Sequence, residues 1–156
     1  MSRVPQPNEL LTSSLLDRLT DLPSAPQQRL SDLRKSVRGD LEDLLNTRWR
    51  CTTSEEVSPL LQASLINYGL PDFSGGNLQG AQEPDKVRAA VTSAIERFEP
   101  RLQNARVKIV KNESSVDRTL RLQIEAVLHV EPWNERVRFN TIMEAGTGRV
   151  TVQAVE

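Results

Sequence analysis

The chain has 156 residues, of which 37% are hydrophobic and only 4% aromatic, and its 20 basic side chains nearly cancel its 21 acidic ones to a net charge of −1. A chain this long buries ~68–70% of its unfolded surface as one domain, so a single core of modest size is expected. The near-neutral balance, without a basic block, argues against a nucleic-acid footprint. One cysteine, Cys51, and one histidine, His129, leave no internal disulfide and none of the usual zinc ligand sets.

The start, "MSRVPQPNELL", has no charged region followed by a continuous apolar one, and no apolar run approaches the ~20 residues that cross a bilayer. A soluble cytoplasmic protein is expected. Residues 1–8 read as a flexible tail and 9–156 as a single domain. Leu10, Leu11, Leu15, Leu16, Leu19 and Leu22 recur at helical spacing until the prolines of "DLPSAPQQ". From Leu30 to Thr47 the stripe Leu33, Val37, Leu41, Leu44 and Leu45 predicts a strongly amphipathic helix, with Gly39 inside it. "SPLLQASLINYGLPDF" predicts a short helix. Ser58 suits its cap and Pro59 its first turn; Gly69 suits the left-handed residue beyond its end, and Pro71 follows.

"SGGNLQGAQ" reads as a loop and lacks the lysine and flanking strands of a phosphate-binding loop. Pro84 or Asp85 opens another helix, whose face Val87, Val91, Ala94, Ile95 and Phe98 ends at "EPR". There the period changes to two. Val107 and Ile109 alternate with charges. Leu120 to Val130, Val137 to Thr141 and Val150 to Val152 then form three more runs, separated by "KNESSVD", "EPWN" and "EAGTG". The fold class read from this order is α+β: helices to about residue 101, packed on one face of an antiparallel meander of about four strands from about residue 105.

Reactive chemistry is sparse. His129 falls on the polar side of its strand with no nucleophile beside it. Cys51 follows "RWR" but has no histidine near it in sequence, and reads as structural. A lysozyme-like glycoside hydrolase using a carboxylate pair is the enzymatic alternative. It requires two carboxyls across a cleft, and the aromatic platforms that usually accompany sugars are scarce here. No catalytic residue, metal or cofactor is assigned. Asn67, Tyr68, Gly69, Leu70 and Pro71 read as a helix end with packing side chains. Glu99, Pro100 and Arg101 read either as a helix stop or as two opposite charges offered on a stiff corner, because proline disrupts a helix by ~3 kcal/mol.

Four segments in order, "SVRGDLEDLLNTR", "SLINYGLPDF", "AIERFEPRL" and "RFNTIMEAGTGRVTV", resemble the TssE family over roughly residues 30 to 153. These are baseplate proteins of type VI secretion systems, related to the small wedge protein of contractile phage tails. Where the family often has a second basic residue after Arg38, this chain has Gly39. The resemblance implies a scaffold in a cytoplasmic baseplate docked at the inner membrane. TssF and TssG are its implied wedge partners, and Glu99, Pro100 and Arg101 the motif that holds the wedge by bonding to them. It also implies a template for sheath subunits TssB and TssC. The last alternating run, with Val150, Thr151, Val152 and Gln153, is then the expected strand edge, since an edge offers unpaired backbone groups to an added strand. Some relatives have carried a lysozyme label, which nothing in these residues supports.

Overall fold

The computed structural model describes residues 10–12, 27–49, 64–73, 83–110, 119–130, 133–144 and 146–155. In chain order these form β1 (Leu10–Thr12), β2 (Gln27–Arg29), α1 (Leu30–Asn46), a 3-10 turn (Leu65–Asn67) and α2 (Glu83–Phe98). Four strands follow: β3 (Leu102–Val110), β4 (Thr119–Val130), β5 (Trp133–Glu144) and β6 (Val150–Val155). They pair antiparallel in the order β3-β4-β5-β6, the meander that the alternating runs predict.

The leucine-rich run from Leu10 does not begin as a helix. Leu10–Thr12 is a strand that pairs antiparallel with Gln27–Arg29, immediately before α1. Cross-strand pairing overrides helical spacing here, because three residues hold too little periodicity to settle their own state. The rest of that run, and the expected cap at Ser58 and Pro59, lie outside the described residues.

Helix α1 buries the stripe its spacing predicts: Leu33, Val37, Leu41, Leu44 and Leu45 are all at most 9% exposed. Helix α2 buries Val87, Val91, Ala94 and Ile95. On the sheet the inward set is Leu120 to Leu128 at every second position, then Val137, Phe139, Thr141 and Met143, then Val150 and Val152. These share one face, and the helices cover it: α1 packs against β6, α2 against β3, and the two touch each other. Trp133, expected in a turn, instead opens β5 opposite Val130, as aromatic strand propensity allows.

Strand β3 begins at Leu102, before the expected start of the sheet. Its early part breaks alternation. Leu102 is buried, Gln103 and Asn104 are exposed, and Ala105 and Val107 are buried. A register shift between Gln103 and Arg106, with Asn104 at φ +54°, inserts one extra residue and moves the inward positions from even to odd numbers. Bulges act in this way, and asparagine is one of the few residues to tolerate positive φ. Toward the end of this edge strand Ile109 is 38% exposed although its pattern partner Val107 is buried.

Gly69 fixes how the chain after α1 returns to the core. The Leu70 amide donates to the Thr47 carbonyl and the Trp49 amide to the Leu70 carbonyl, both at 2.9 Å, a one-residue parallel bridge. Gly69 lies at φ +107°, and a Cβ there would sit 2.4 Å from the Thr47 oxygen. Both the dihedral and the close approach exclude a side chain. Gly69→Val should therefore lower unfolding stability by more than about 2 kcal/mol. Gly39 lies in α1 with open space around its Cα, so Gly39→Ala should raise stability by about 0.5–1 kcal/mol. Urea unfolding of both variants checks the pair, and equal effects would refute the distinction.

Candidate functional site

The corner after α2 is a tight turn built by Pro100. The last helical bond is the Glu99 amide to the Ile95 carbonyl at 2.9 Å, and the Leu102 amide then donates to the Glu99 carbonyl at 3.0 Å. Residues 99–102 thus close a β-turn with proline at its second position, where the ring pre-sets φ and the missing N–H is not needed. The His129 amide bonds the Arg101 carbonyl at 2.8 Å, so the sheet ladder starts at the turn itself.

The two charges of the corner face each other. The Glu99 side chain is only 6% exposed. Arg101 donates Nε to Oε1 at 2.6 Å and Nη2 to Oε2 at 2.7 Å, a bidentate pair. Arg101 Nη2 also donates to Asp40 on α1, whose side chain is half-exposed. The guanidinium is held well above its ordinary range, chiefly by the Glu99 hydrogen bonds and further by Asp40, against the opposing effect of burial. Where both charges were expected to reach partner proteins, Glu99 spends both oxygens inside the chain, because a buried carboxylate needs its counter-charge at contact distance. The corner leaves Pro100 exposed, with the partly exposed edges of Arg101 and Asp40 beside it.

The second motif meets the corner from below. The Tyr68 ring packs edge-on against Phe98 with centroids 5.2 Å apart at 67°. Burial raises the Tyr68 phenol, and Asp43, Asp40 and Glu99 add to that rise by disfavouring a phenolate. Asn67 and Leu70 are buried, Pro71 is half-buried, and Gly69 gives its carbonyl to the Trp49 indole N–H at 2.7 Å. "NYGLPDF" and "FEPRL" are therefore one packed unit tied to Asp40 of α1, with the charge of Asp43 acting on Tyr68 from the same helix. Sequence reasoning missed the part of both aspartates; their only signal is that they recur near one end of that helix.

Strand β6 is an outer strand of the four-stranded sheet. Its side chains fall as expected, Val150 and Val152 inward and Thr151 and Gln153 exposed. Its backbone alternates too. The Glu144 amide bonds the Arg149 carbonyl at 3.0 Å, so Thr151 and Gln153, at the same parity as Arg149, direct their backbone groups to β5. Val150, Val152 and Ala154 direct theirs outward. At Val150 that edge is already filled: Asn46 Nδ2 donates to the Val150 carbonyl at 2.8 Å and Asn46 Oδ1 accepts from its amide at 2.9 Å. The Asn46 amide thus imitates one residue of an added strand. Arg48 anchors the same junction, donating to the Leu45 carbonyl at 2.7 Å and to Gly148. Val152 and Ala154 remain as outward backbone positions.

Among the described residues no group of His, Cys, Asp and Glu side chains could hold a metal, and no helix is long and apolar enough to cross a membrane. Two outcomes test the corner. Arg101→Ala strands a buried carboxylate and should lower the stability of the isolated protein by roughly 3–5 kcal/mol, with Arg101→Lys retaining part of it; urea unfolding decides. Tyr68 is the single tyrosine, so phenolate absorbance reports it alone. Its midpoint should lie above the ordinary 10.0. Since its folded value is raised, its stabilising contribution is complete below the unfolded value and is lost as pH climbs through the folded one. Tyr68→Phe should remove that part of the alkaline loss of stability.

No curated protein matches this chain. Among solved structures, a chain of "The baseplate complex from the type VI secretion system" is similar at a TM-score of 0.48 and 13% identity, over 81% of this chain and 96% of that one. A family model described as "Baseplate wedge protein gp25" matches residues 31–133. That span runs from α1 to the start of β5 and takes in both the "NYGLPDF" and the "FEPRL" segments, but not β6. With more than half of its length matched, the chain belongs to the gp25 family of baseplate wedge proteins.

Proposed function

We propose that this wedge protein serves a type VI secretion baseplate, binding TssF and TssG through the exposed rim of its Glu-Pro-Arg corner and offering the β6 edge to a sheath strand from TssB or TssC. The observation that carries the reading is the pair of outward backbone positions at Val152 and Ala154, beside an edge that Asn46 closes only at Val150. Main-chain pairing of this kind takes its affinity from hydrogen bonds and requires no reactive side chain. The corner contributes in a different way. Its internal ion pair fixes the α2–β3 turn, so Pro100 and the free edge of Arg101 are presented without a further ordering cost.

The protein acts as a cytoplasmic scaffold on this reading, within a baseplate docked at the inner membrane, and not as an enzyme. The lysozyme-like alternative finds no footing in the geometry of the corner. Glu99 is buried with both oxygens held by Arg101, so it is not a carboxyl poised over a cleft. Purified protein should show no peptidoglycan turnover, and turnover lost on mutation of Glu99 would reverse that judgement.

The edge is tested by proline, which removes one donor at a time. Ala154→Pro removes an outward N–H at an exposed residue, so the variant should fold, bind TssF and TssG, and fail to start sheath assembly. Thr151→Pro and Gln153→Pro remove ladder donors to β5 and should lower the melting temperature instead. Wild-type sheath growth from folded Ala154→Pro and Val152→Pro proteins would exclude this edge.

A further inference from the structure

The face of the sheet turned away from both helices is basic. Among the described residues, Arg106 and Lys108 of β3, Arg121 of β4, and Arg136 and Arg138 of β5 are all exposed there, against two carboxylates, Glu125 and Glu144. The whole chain carries a net charge of −1, so this is a local separation of charge. Strand register aligns Arg106, Glu125, Arg138 and Val155 in one row across the four strands. With strands about 4.8 Å apart, Arg106 and Arg138 flank Glu125 from the strands on either side of it.

Glu125 does not neutralise them alone. It accepts from Lys108 Nζ at 2.8 Å, and Arg138 Nε lies 3.7 Å from its other oxygen. Its carboxyl is held below the usual range by the Lys108 hydrogen bond first, with Arg138 and Arg106 adding to the effect against partial desolvation. One carboxylate is therefore shared among three cations. Arg136 has no carboxylate partner among the described residues. Arg106, Arg136 and Arg138 line an open depression of about 650 Å³ with Val127 and Val155 on its walls.

We propose that this depression docks an acidic peptide segment of a partner protein, with carboxylates on Arg106, Arg136 and Arg138 and an aliphatic side chain against Val127 and Val155. The arginine forks match carboxylates bidentately, and arginine is enriched in protein interfaces. Charge complementarity selects the occupant. A peptide suits the site better than nucleic acid does, because Glu125 interrupts the cationic row and two valines, Val127 and Val155, stand among the charges, whereas a phosphate backbone requires an unbroken basic track. The surface is separate from the corner and from the backbone edge of β6, so it stands whether or not those pair as proposed.

The test uses the full chain and a fluorescent peptide of alternating glutamate and valine, followed by anisotropy. Binding should weaken with added salt, fall about tenfold or more in Arg106→Gln/Arg136→Gln, and be about tenfold weaker for a matched glutamine–valine peptide. Both substituted residues are exposed, and an unchanged melting temperature confirms the fold of the double variant. Backbone amide shifts in the wild-type protein give a readout that needs no variant: Val127, Arg136 and Arg138 should move on titration. Equal binding of the glutamine peptide, unchanged affinity in the folded double variant, shifts confined to other surfaces, or tighter binding of a short DNA duplex would each overturn the proposal.

Discussion

Glu99 and Arg101 stand on either side of one proline, and their bidentate contact decides how the helical layer meets the sheet. The carboxylate is buried where α2 ends, while the guanidinium belongs to the turn that starts β3, so one ion pair spans the junction of the two layers. Asp40 extends it to α1, and Tyr68 on Phe98 extends it to the segment that follows α1. Removing charge from water is costly, and an ion pair this deep is tolerated only with good geometry on both partners. The β-turn supplies that geometry by holding the two residues at a fixed offset. The same residues that end the helix therefore also set where the sheet begins.

A baseplate wedge subunit is a structural part, and this fold places its rigid and its open features at opposite sides. The corner lies where α2 meets β3, on one side of the sheet; β6 is the outer strand on the other. Asn46 marks the boundary at β6. By filling both backbone groups of Val150 it leaves Val152 and Ala154 as the outward backbone positions of β6 beyond it. Edge strands are ordinarily protected against unwanted pairing, and a side-chain amide that closes one position while leaving the next ones open is a partial form of that protection.

Much of this architecture was legible in the sequence. The stripe of α1, the face of α2 and the alternation of β4, β5 and β6 each follow from side-chain period, because one face of every element is buried. What escaped has physical causes. The start of β3 was hidden because a bulge at Asn104 shifts the inward positions, and a pattern of period two cannot be followed through an inserted residue. Leu10–Thr12 is held by pairing with Gln27–Arg29, a contact that no local window contains. The reading of Glu99-Pro100-Arg101 left a helix stop and a charged corner as alternatives, and the structure joins them: the stop is what brings the charges into contact. The roles of Asp40 and Asn46 depend on residues 61 and 104 positions away, and side-chain pairing at that range leaves no mark on spacing.

The corner as an internal brace is tested most directly by a double-mutant cycle of Glu99→Gln and Arg101→Gln, read as the unfolding free energy of the isolated protein. Contacting charges share energy that distant ones do not, with couplings of roughly 0.5–3 kcal/mol in such cycles. For a buried bidentate pair the coupling should fall in the upper part of that range, about 2 kcal/mol or more, with each single variant less stable than the wild type. Additive effects near zero, with a wild-type melting curve for Arg101→Gln and wedge assembly lost, would contradict this account and assign both charges to a partner.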